Sequence, residues 1–212
     1  MSLFDSIVQL DKAATLWINN LSSSWNDLFW AILSDVEIWF PAYLLIFIFI
    51  FWKLGWKRGL AVLLTLVLTI LLVDQGSNLI KVAVGRYRPL YDDWMVNNGL
   101  RLPYGFYPAG NFGFYSSHAS NTIGFATVTY LGLKWFRPQS DWRIYGWVVY
   151  VWAGLVCISR IMMGAHFLGD VTVGALVGFG VAYLLLTLAL FLSKACLRLF
   201  PPRGRENGKR EG

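Results

Sequence analysis

The chain has 212 residues, of which 57% are hydrophobic and only 14% are charged. This composition is far more apolar than that of an average soluble domain, and the length allows one compact domain. The net charge of +6 could indicate nucleic-acid binding, but six cations lie at or beyond the end of the last apolar segment: Lys194, Arg198, Arg203, Arg205, Lys209 and Arg210. Such a tail is typical of a cytoplasmic terminus that faces anionic lipid, so we predict a membrane protein with no nucleic-acid partner.

The first 36 residues are too polar to predict a membrane span. Their apolar residues alternate with Asp11, Lys12, Asn19 and Asp27, and serines at positions 22–24 interrupt the pattern. This mixture predicts one or two amphipathic helices that lie on the membrane surface, although a sixth span here is the alternative. No signal peptide is expected, because the first ten residues are acidic rather than basic.

Five apolar segments follow, each close to the length that crosses the hydrocarbon core of a bilayer. They cover about residues 38–52, 60–80, 118–135, 144–162 and 168–192. We therefore predict an all-α integral membrane helical bundle of five transmembrane helices at residues 37–193, with a loop at 85–116. The N-terminal amphipathic helices (1–36) precede the bundle, and a basic cytoplasmic tail (194–212) follows it.

Cations in two short turns predict how the bundle is oriented. The turns lie at the same end as the basic tail, and they contain Lys53, Lys57, Arg58, Lys134, Arg137 and Arg143. Loops with an excess of lysine and arginine usually face the cytoplasm. In a multi-pass protein of the cell (inner) membrane, the loop 85–116 and the turn near residue 164 then lie on the extracytoplasmic side.

Three clusters of cations, hydroxyl groups and imidazoles lie at that predicted extracytoplasmic end. They are Lys81 with Arg88, then Ser116, Ser117 and His118, then Arg160 with His166 and Asp170. Charged and titratable side chains beside membrane spans are costly and by default mark a functional site. Three cations, two imidazoles and one carboxylate suit a phosphate group far better than they suit lipid.

The first two clusters have ordinary structural explanations when each is taken alone. Lys81 and Arg88 are compatible with cations that extend to the lipid headgroups, although Pro89 stiffens the chain after Arg88. Ser116 suits the N-cap of a helix. A helix N-terminus is also a ready site for an anion, and capping leaves His118 unexplained.

The third cluster is the most specific of the three. His166 and Asp170 are four residues apart, so on a helix the carboxylate can accept a hydrogen bond from the imidazole. That bond fixes the tautomer and leaves the other ring nitrogen available as a nucleophile. Gly164 offers the break that brings Arg160 to the same point. The alternative is a structural His–Asp pair that caps a helix.

Together, the clusters resemble the motifs of the type 2 phosphatidic acid phosphatase superfamily of membrane lipid phosphatases. In order along the chain they read Lys81-x6-Arg88-Pro89, Ser116-x-His118 and Ser159-Arg160-x5-His166-x3-Asp170. The resemblance extends from about residue 60 to 192. The middle motif departs from the usual Pro-Ser-Gly-His, because Tyr115 replaces the proline and Ser117 replaces the glycine.

The resemblance implies a role for each motif residue. His166 would attack phosphorus and carry a phosphohistidine, Asp170 would orient it, and His118 would protonate the leaving oxygen. The phosphoryl oxygens would be bound by Lys81, Arg88, Ser116, the backbone N–H of Ser117, and Arg160. No metal or other cofactor is expected, because three cations can neutralise the phosphoryl charge and the sequence has no compact carboxylate cluster for Mg²⁺.

We therefore expect a membrane phosphatase whose partners are membrane lipids and a lipid phosphate or diphosphate substrate. Undecaprenyl diphosphate and phosphatidylglycerophosphate are favoured over lipid A or another phospholipid phosphate, because the chain is small and its predicted site faces outside. An alternative from another class is an anion-binding transporter or channel, which would place charges along the helix interiors. A vanadate-using haloperoxidase has similar motifs, but such enzymes are soluble.

Overall fold

The computed structural model describes residues 2–103 and 110–199, with side chains described as far as residue 192. Within these residues the chain forms helices and loops, with no strand beyond one isolated bridge between Tyr87 and Phe112. The helices are α1 (Leu3–Asn19), α2 (Asp27–Ser34), α3 (Phe40–Leu54), α4 (Trp56–Val84), α5 (Asp93–Asn97), α6 (Ser117–Phe136), α7 (Arg143–Met162) and α8 (Leu168–Leu199). The predicted all-α class is confirmed.

The N-terminal segment forms two helices with a break at the predicted serines. A capping box starts α1, because Ser2 Oγ accepts from the Asp5 N–H at 3.1 Å and the Asp5 carboxylate accepts from the Ser2 N–H at 2.8 Å. One face of α1 packs on α7 and α8, whereas Phe4 and Trp17 on other faces are 73% and 68% exposed. These apolar faces suit lipid, and their position on the membrane surface stays a prediction.

Four helical segments are long and apolar enough to cross a membrane: Glu37–Leu54, Trp56–Val84, Arg143–Met162 and Leu168–Leu192. Helix α6, which the sequence places among five spans, is not in this set. It lies at the centre of the bundle against α4, α7 and α8, and its buried surface includes Ser120, Thr122, Thr127 and Thr129. The hydroxyl groups of Thr122, Thr127 and Thr129 donate to carbonyl oxygens of α6 itself, so these side chains have partners inside the bundle although they lower the hydropathy of the helix.

The two basic turns lie at the same end of the bundle. Arg58 Nη1 donates to the carbonyl oxygen of Phe136 at 3.1 Å, and Arg137 Nη1 donates to that of Lys53 at 2.8 Å. These bonds join the turn between α3 and α4 to the end of α6. The C-terminal ends of α4 and α7 and the N-terminal ends of α6 and α8 therefore lie at the opposite end.

Two of the predicted boundaries fall close to the limits of the described residues. Helix α8 continues past residue 193 to Leu199, so the basic tail begins as a helix. The rest of the tail (200–212) and the middle of the long loop (104–109) lie outside the described residues. Cys157 is a buried free thiol.

Helices α6 and α8 approach each other closely through glycines of α8. A Cβ atom at Gly174 would lie 2.5 Å from the carbonyl oxygen of Ser116, and one at Gly178 would collide with the carbonyl oxygen of Ser120. Small residues at this spacing allow membrane helices to pack backbone against backbone. The contact brings His118 on α6 close to the start of α8.

We expect Gly178→Ala to lower the thermal unfolding midpoint of the purified protein. The added methyl group has only rigid backbone to displace, and overpacking of this kind costs about 1–3 kcal/mol. Gly180→Ala is the matched control on the same helix, because nothing lies within 4 Å of its Cβ position. Equal midpoints for the two variants in a detergent thermal-shift measurement would contradict the close packing of α6 and α8.

Candidate active site

The three sequence motifs meet at the end of the bundle opposite the basic turns. Arg88 Nη1 lies 2.9 Å from His166 Nε2, and Lys81 Nζ donates to Ser117 Oγ at 2.6 Å. His118 lies within electrostatic reach of cations from all the other motifs and of the second histidine. One site therefore contains every residue proposed from the sequence: Lys81, Arg88, Ser116, Ser117, His118, Arg160, His166 and Asp170.

His166 lies in the turn between α7 and α8. Helix α7 ends at Met162, and Gly164 adopts a φ of +66°, a left-handed conformation that suits glycine. Because α8 begins only at Leu168, His166 precedes the helix instead of sharing a helical face with Asp170. The imidazole is 2% exposed, and its Nδ1 lies 3.7 Å from Asp170 Oδ2, which is longer than a hydrogen bond.

Arg88 indicates which nitrogen of His166 carries the proton. A guanidinium can only donate, so Nε2 accepts from Arg88 and a neutral ring has its proton on Nδ1, the side that faces Asp170. Burial and then the charges of Arg160, Arg88 and Lys81 lower the pKa of His166 well below 6.5, against an opposing contribution from the Gly113 backbone. A neutral imidazole with its Nε2 lone pair among cations is the state that a nucleophile requires.

Asp170 is fully buried, and its hydrogen bonds connect three parts of the chain. Oδ1 accepts from Arg86 Nη1 at 2.8 Å, and Oδ2 accepts from the backbone N–H of Phe167 at 3.0 Å. The backbone carbonyl of Asp170 accepts from the N–H of Ser116 at 3.0 Å. The carboxylate that faces His166 is therefore held by the loop after α4, and its backbone is held by the start of α6.

The start of α6 combines capping with a polar contact to Lys81. Ser116 is the N-cap, and its Oγ accepts from the N–H of Ala119 at 3.4 Å, so the ordinary explanation for this serine is correct. Ser117 Oγ contacts both Lys81 Nζ and, at 3.0 Å, Ser77 Oγ. Tyr115, which replaces the usual proline, is buried and donates from its hydroxyl to a carbonyl oxygen of α4 at 3.0 Å.

The two motif arginines are buried beside the histidines. Arg88 is 6% exposed and donates from Nε to the carbonyl oxygen of Gly110 at 2.9 Å. Burial, offset in part by Asp170, lowers the pKa of Arg88. Arg160 is 5% exposed and donates to Ser34 Oγ at the end of α2.

Across residues 2–103 and 110–192, no three side chains of His, Cys, Asp or Glu are grouped as a metal site requires.

An apolar cleft of about 410 Å³ lies between α3 and α7, and its lining includes Trp39, Tyr43, Phe49 and Trp152. A small cavity beside it shares three of these aromatic residues and is also lined by His118, Ser34 and Asp35. His118 therefore lies on the side of the site that adjoins the apolar cleft.

Sequence reasoning missed two features that contact the site. One is Arg86, which lies between the motif residues and bonds to Asp170. The other is a row of polar residues on α1, Asp11, Thr15 and Asn19, which we call the polar stripe. Their spacing of four residues places them on one face of a helix, and this regularity was the available signal.

The sequence matches the model of the PAP2 superfamily over residues 58–193, more than half of the chain. Curated relatives include the lipid A 4'-phosphatase of Porphyromonas gingivalis, 27% identical over 186 residues that cover 87% of this chain and 75% of that protein. Another is the lipid A 4'-phosphatase of Bacteroides thetaiotaomicron, 26% identical over 183 residues, with coverages of 83% and 75%.

Two solved structures share the fold. The PAP2-type phosphatidylglycerolphosphate phosphatase from Bacillus subtilis superposes with a TM-score of 0.61 at 23% identity, over 90% of this chain and 87% of that one. LpxE from Aquifex aeolicus gives a TM-score of 0.58 at 22% identity, over 82% of this chain and 93% of that one. With the family match and the motif order, these likenesses lead to one conclusion: the chain belongs to the PAP2 superfamily and is a membrane lipid phosphatase of the PAP2 type.

Proposed function

We propose that this protein hydrolyses a lipid phosphate or diphosphate on the extracytoplasmic side of the inner membrane, through a phosphohistidine on His166 and without a metal ion. The observation that carries the proposal is the contact of 2.9 Å between Arg88 Nη1 and His166 Nε2. Because a guanidinium can only donate, this contact supports an unprotonated Nε2 beside a cation that can bind a phosphoryl oxygen. Family membership and the grouping of charges at one end of the bundle favour this function over an anion transporter or channel.

The phosphoryl group would bind among Lys81, Arg88 and Arg160. When it enters, Arg88 can donate to a phosphoryl oxygen instead of Nε2, which releases the lone pair of His166 for in-line attack on phosphorus. The transition state of phosphoryl transfer spreads negative charge over the equatorial oxygens, so fixed cations stabilise it. The capped N-terminus of α6, with Ser116 and Ser117, adds the N–H dipoles of a helix start.

Attack by His166 forms a P–N bond and breaks the bond between phosphorus and the leaving oxygen, which takes the electron pair of that bond. This oxygen belongs to the lipid alcohol in a lipid phosphate and to the lipid monophosphate in a lipid diphosphate. His118 would supply the proton to this oxygen, because it lies on the side that adjoins the apolar cleft. The negative charge of bound phosphate favours the protonated form of a nearby imidazole. His118 would then accept a proton from the water that attacks the phosphohistidine. The P–N bond breaks, its electron pair returns to Nε2 of His166, and inorganic phosphate leaves.

The apolar cleft offers a place for the lipid chain. Its aromatic and aliphatic lining suits an acyl or prenyl chain, and it adjoins the cavity beside His118. Undecaprenyl diphosphate and phosphatidylglycerophosphate remain our favoured substrates from the sequence. Lipid A is a further candidate, which the curated relatives from Porphyromonas and Bacteroides support.

Phosphate release from a panel of these three lipids in detergent, with and without EDTA, tests the proposal. We expect release from at least one lipid and no loss of activity with EDTA. His166→Ala should abolish turnover and the acid-labile phosphoenzyme trapped in a rapid quench, because His166 is the proposed acceptor of the phosphoryl group. No release from any lipid by the folded wild-type protein would contradict the proposed function.

The role of His118 predicts a dependence on the leaving group. His118→Ala should slow hydrolysis of a lipid phosphate by about 10²-fold or more, because the alkoxide leaving group needs a proton. Hydrolysis of a nitrophenyl phosphate should suffer far less, since nitrophenolate leaves without one. Equal losses for the two substrates in steady-state kinetics would be incompatible with the acid role.

The hydrogen bonds of Asp170 predict the effect of an amide at this position. In Asp170→Asn the amide oxygen can face Arg86 while its NH₂ group faces Nδ1 of His166, so that two donors meet and the ring favours the wrong tautomer. We expect turnover to fall on the order of 10²-fold or more, as in a comparable triad substitution, with little change in KM. Because the carboxylate is fully buried, some thermal stability should be lost as well. Near-wild-type turnover in the folded variant would indicate that His166 and Asp170 form a structural pair that caps a helix.

A further inference from the structure

Helix α1 holds the end of α7 through the last residue of the polar stripe. Asn19 is fully buried, and its Nδ2 lies 3.1 Å from the carbonyl oxygens of both Ile161 and Met162. The last carbonyl groups of a helix have no partner within the helix, so a side chain that donates to them fixes where the helix stops. His166 follows four residues after this point.

The other two residues of the polar stripe hold the start of α8. Thr15 Oγ1 accepts from the N–H of Leu168 at 2.8 Å, and Asp11 Oδ1 accepts from the N–H of Gly169 at 2.7 Å. These N–H groups belong to the first turn of α8, which also lacks partners within the helix. Helix α1 thus supplies hydrogen bonds on both sides of the turn that carries His166.

Arg86 connects the polar stripe to the carboxylate of the site. Its Nη2 donates to Asp11 Oδ2 at 2.6 Å, and its Nη1 donates to Asp170 Oδ1 at 2.8 Å. The guanidinium also lies 4.0 Å from the centre of the Phe167 ring. One planar cation is therefore shared by two carboxylates, and a guanidinium has the fork of donors that such bridging needs.

We propose that Asp11 is a positioning residue for hydrolysis, which acts through Arg86 and the start of α8 to fix the Asp170 carboxylate beside His166. The inference rests on the proposed function of that site. Asp11 lies outside residues 58–193, the part of the chain that the family model matches. The N-terminal segment, for which the sequence predicts one or two amphipathic surface helices or a sixth span, thereby contributes to catalysis.

The hydrogen bonds that join Asp11, Arg86 and Asp170 predict how kcat/KM depends on pH. The charged and titratable groups that face the His166–Asp170 pair are Asp11 on α1, Lys81 on α4, Arg86 and Arg88 on the loop after α4, His118 on α6 and Arg160 on α7. Loss of the negative charge of Asp11 disfavours protonation of His166, and loss of the positive charge of Arg86 favours it. Because the pKa of His166 is lowered, we expect the acid limb of the wild-type profile to lie below pH 6.5.

Asp11→Asn and Arg86→Gln are compared with Lys12→Gln. Lys12 neighbours Asp11 on α1 and pairs with Asp92 at 2.6 Å, so its substitution removes a charge from the same helix without touching the turn. We expect kcat to fall roughly tenfold in the first two variants with KM little changed, as when an outer partner of a metal ligand is removed. The acid limb should move to lower pH in Asp11→Asn and to higher pH in Arg86→Gln, and Lys12→Gln should match wild type.

An unchanged kcat in folded Asp11→Asn would overturn the inference. Acid limbs that shift in the same direction in Asp11→Asn and Arg86→Gln would also overturn it, and neither result would contradict the phosphatase function. If Asp11→Asn does not fold, a comparison of Arg86→Gln with Arg86→Lys tests the inference. Lysine keeps the positive charge, so it should restore the position of the acid limb, but it cannot bridge both carboxylates and should not restore the full kcat. Hydrogen–deuterium exchange of residues 160–170 gives a readout that needs no substrate. Exchange should rise in Asp11→Asn and not in Lys12→Gln, and equal exchange in both would also contradict the inference.

Discussion

The buried carboxylate of Asp170 is the constraint on which the site depends. A charge with no exposure to water is tolerable only when other groups bond to it, and here Arg86, the N–H of Phe167 and the facing imidazole of His166 surround it. Its backbone carbonyl also binds the N–H of Ser116. The start of α6, the start of α8 and the loop after α4 are thus fixed relative to one another by a single residue.

The second constraint is the set of cations that surrounds His166. Burial and the charges of Arg160, Arg88 and Lys81 lower its pKa, so the native protein holds the ring neutral where an unfolded chain would begin to protonate it near pH 6.5. Because the pKa is lowered in the native state, the unfolded chain binds the proton of this histidine more readily. His166 therefore does not oppose folding above pH 6.5, and it lowers the free energy of unfolding as the pH falls below 6.5. Like charges held together in the site also favour any dianion that enters, since binding neutralises them.

The sequence predicts the helices, the basic end and the motif residues, because each depends on local pattern or on motif spacing. It does not predict the contribution of α1. Asp11 is 75 positions from Arg86 and 158 from Gly169, and no local periodicity connects residues so far apart. The prediction that His166 and Asp170 share a helical face is wrong, because α7 ends at Met162 and α8 starts only after His166. The separation of four residues predicts that His166 and Asp170 lie close together, but their relative orientation depends on where α7 ends and α8 begins.

The proposed function assigns recognition of the phosphate and recognition of the lipid to different parts of the molecule. In the proposed function the motif cations bind the phosphoryl group, which every lipid phosphate has in common, so these contacts would not distinguish one lipid from another. Discrimination has to come from groups that meet the rest of the substrate. Beside His118 such groups would come from α2 and from the start of α3, such as Ser34 and Tyr43, which precede the part of the chain that the family model matches. A strong match to the family motifs is therefore compatible with several lipid substrates.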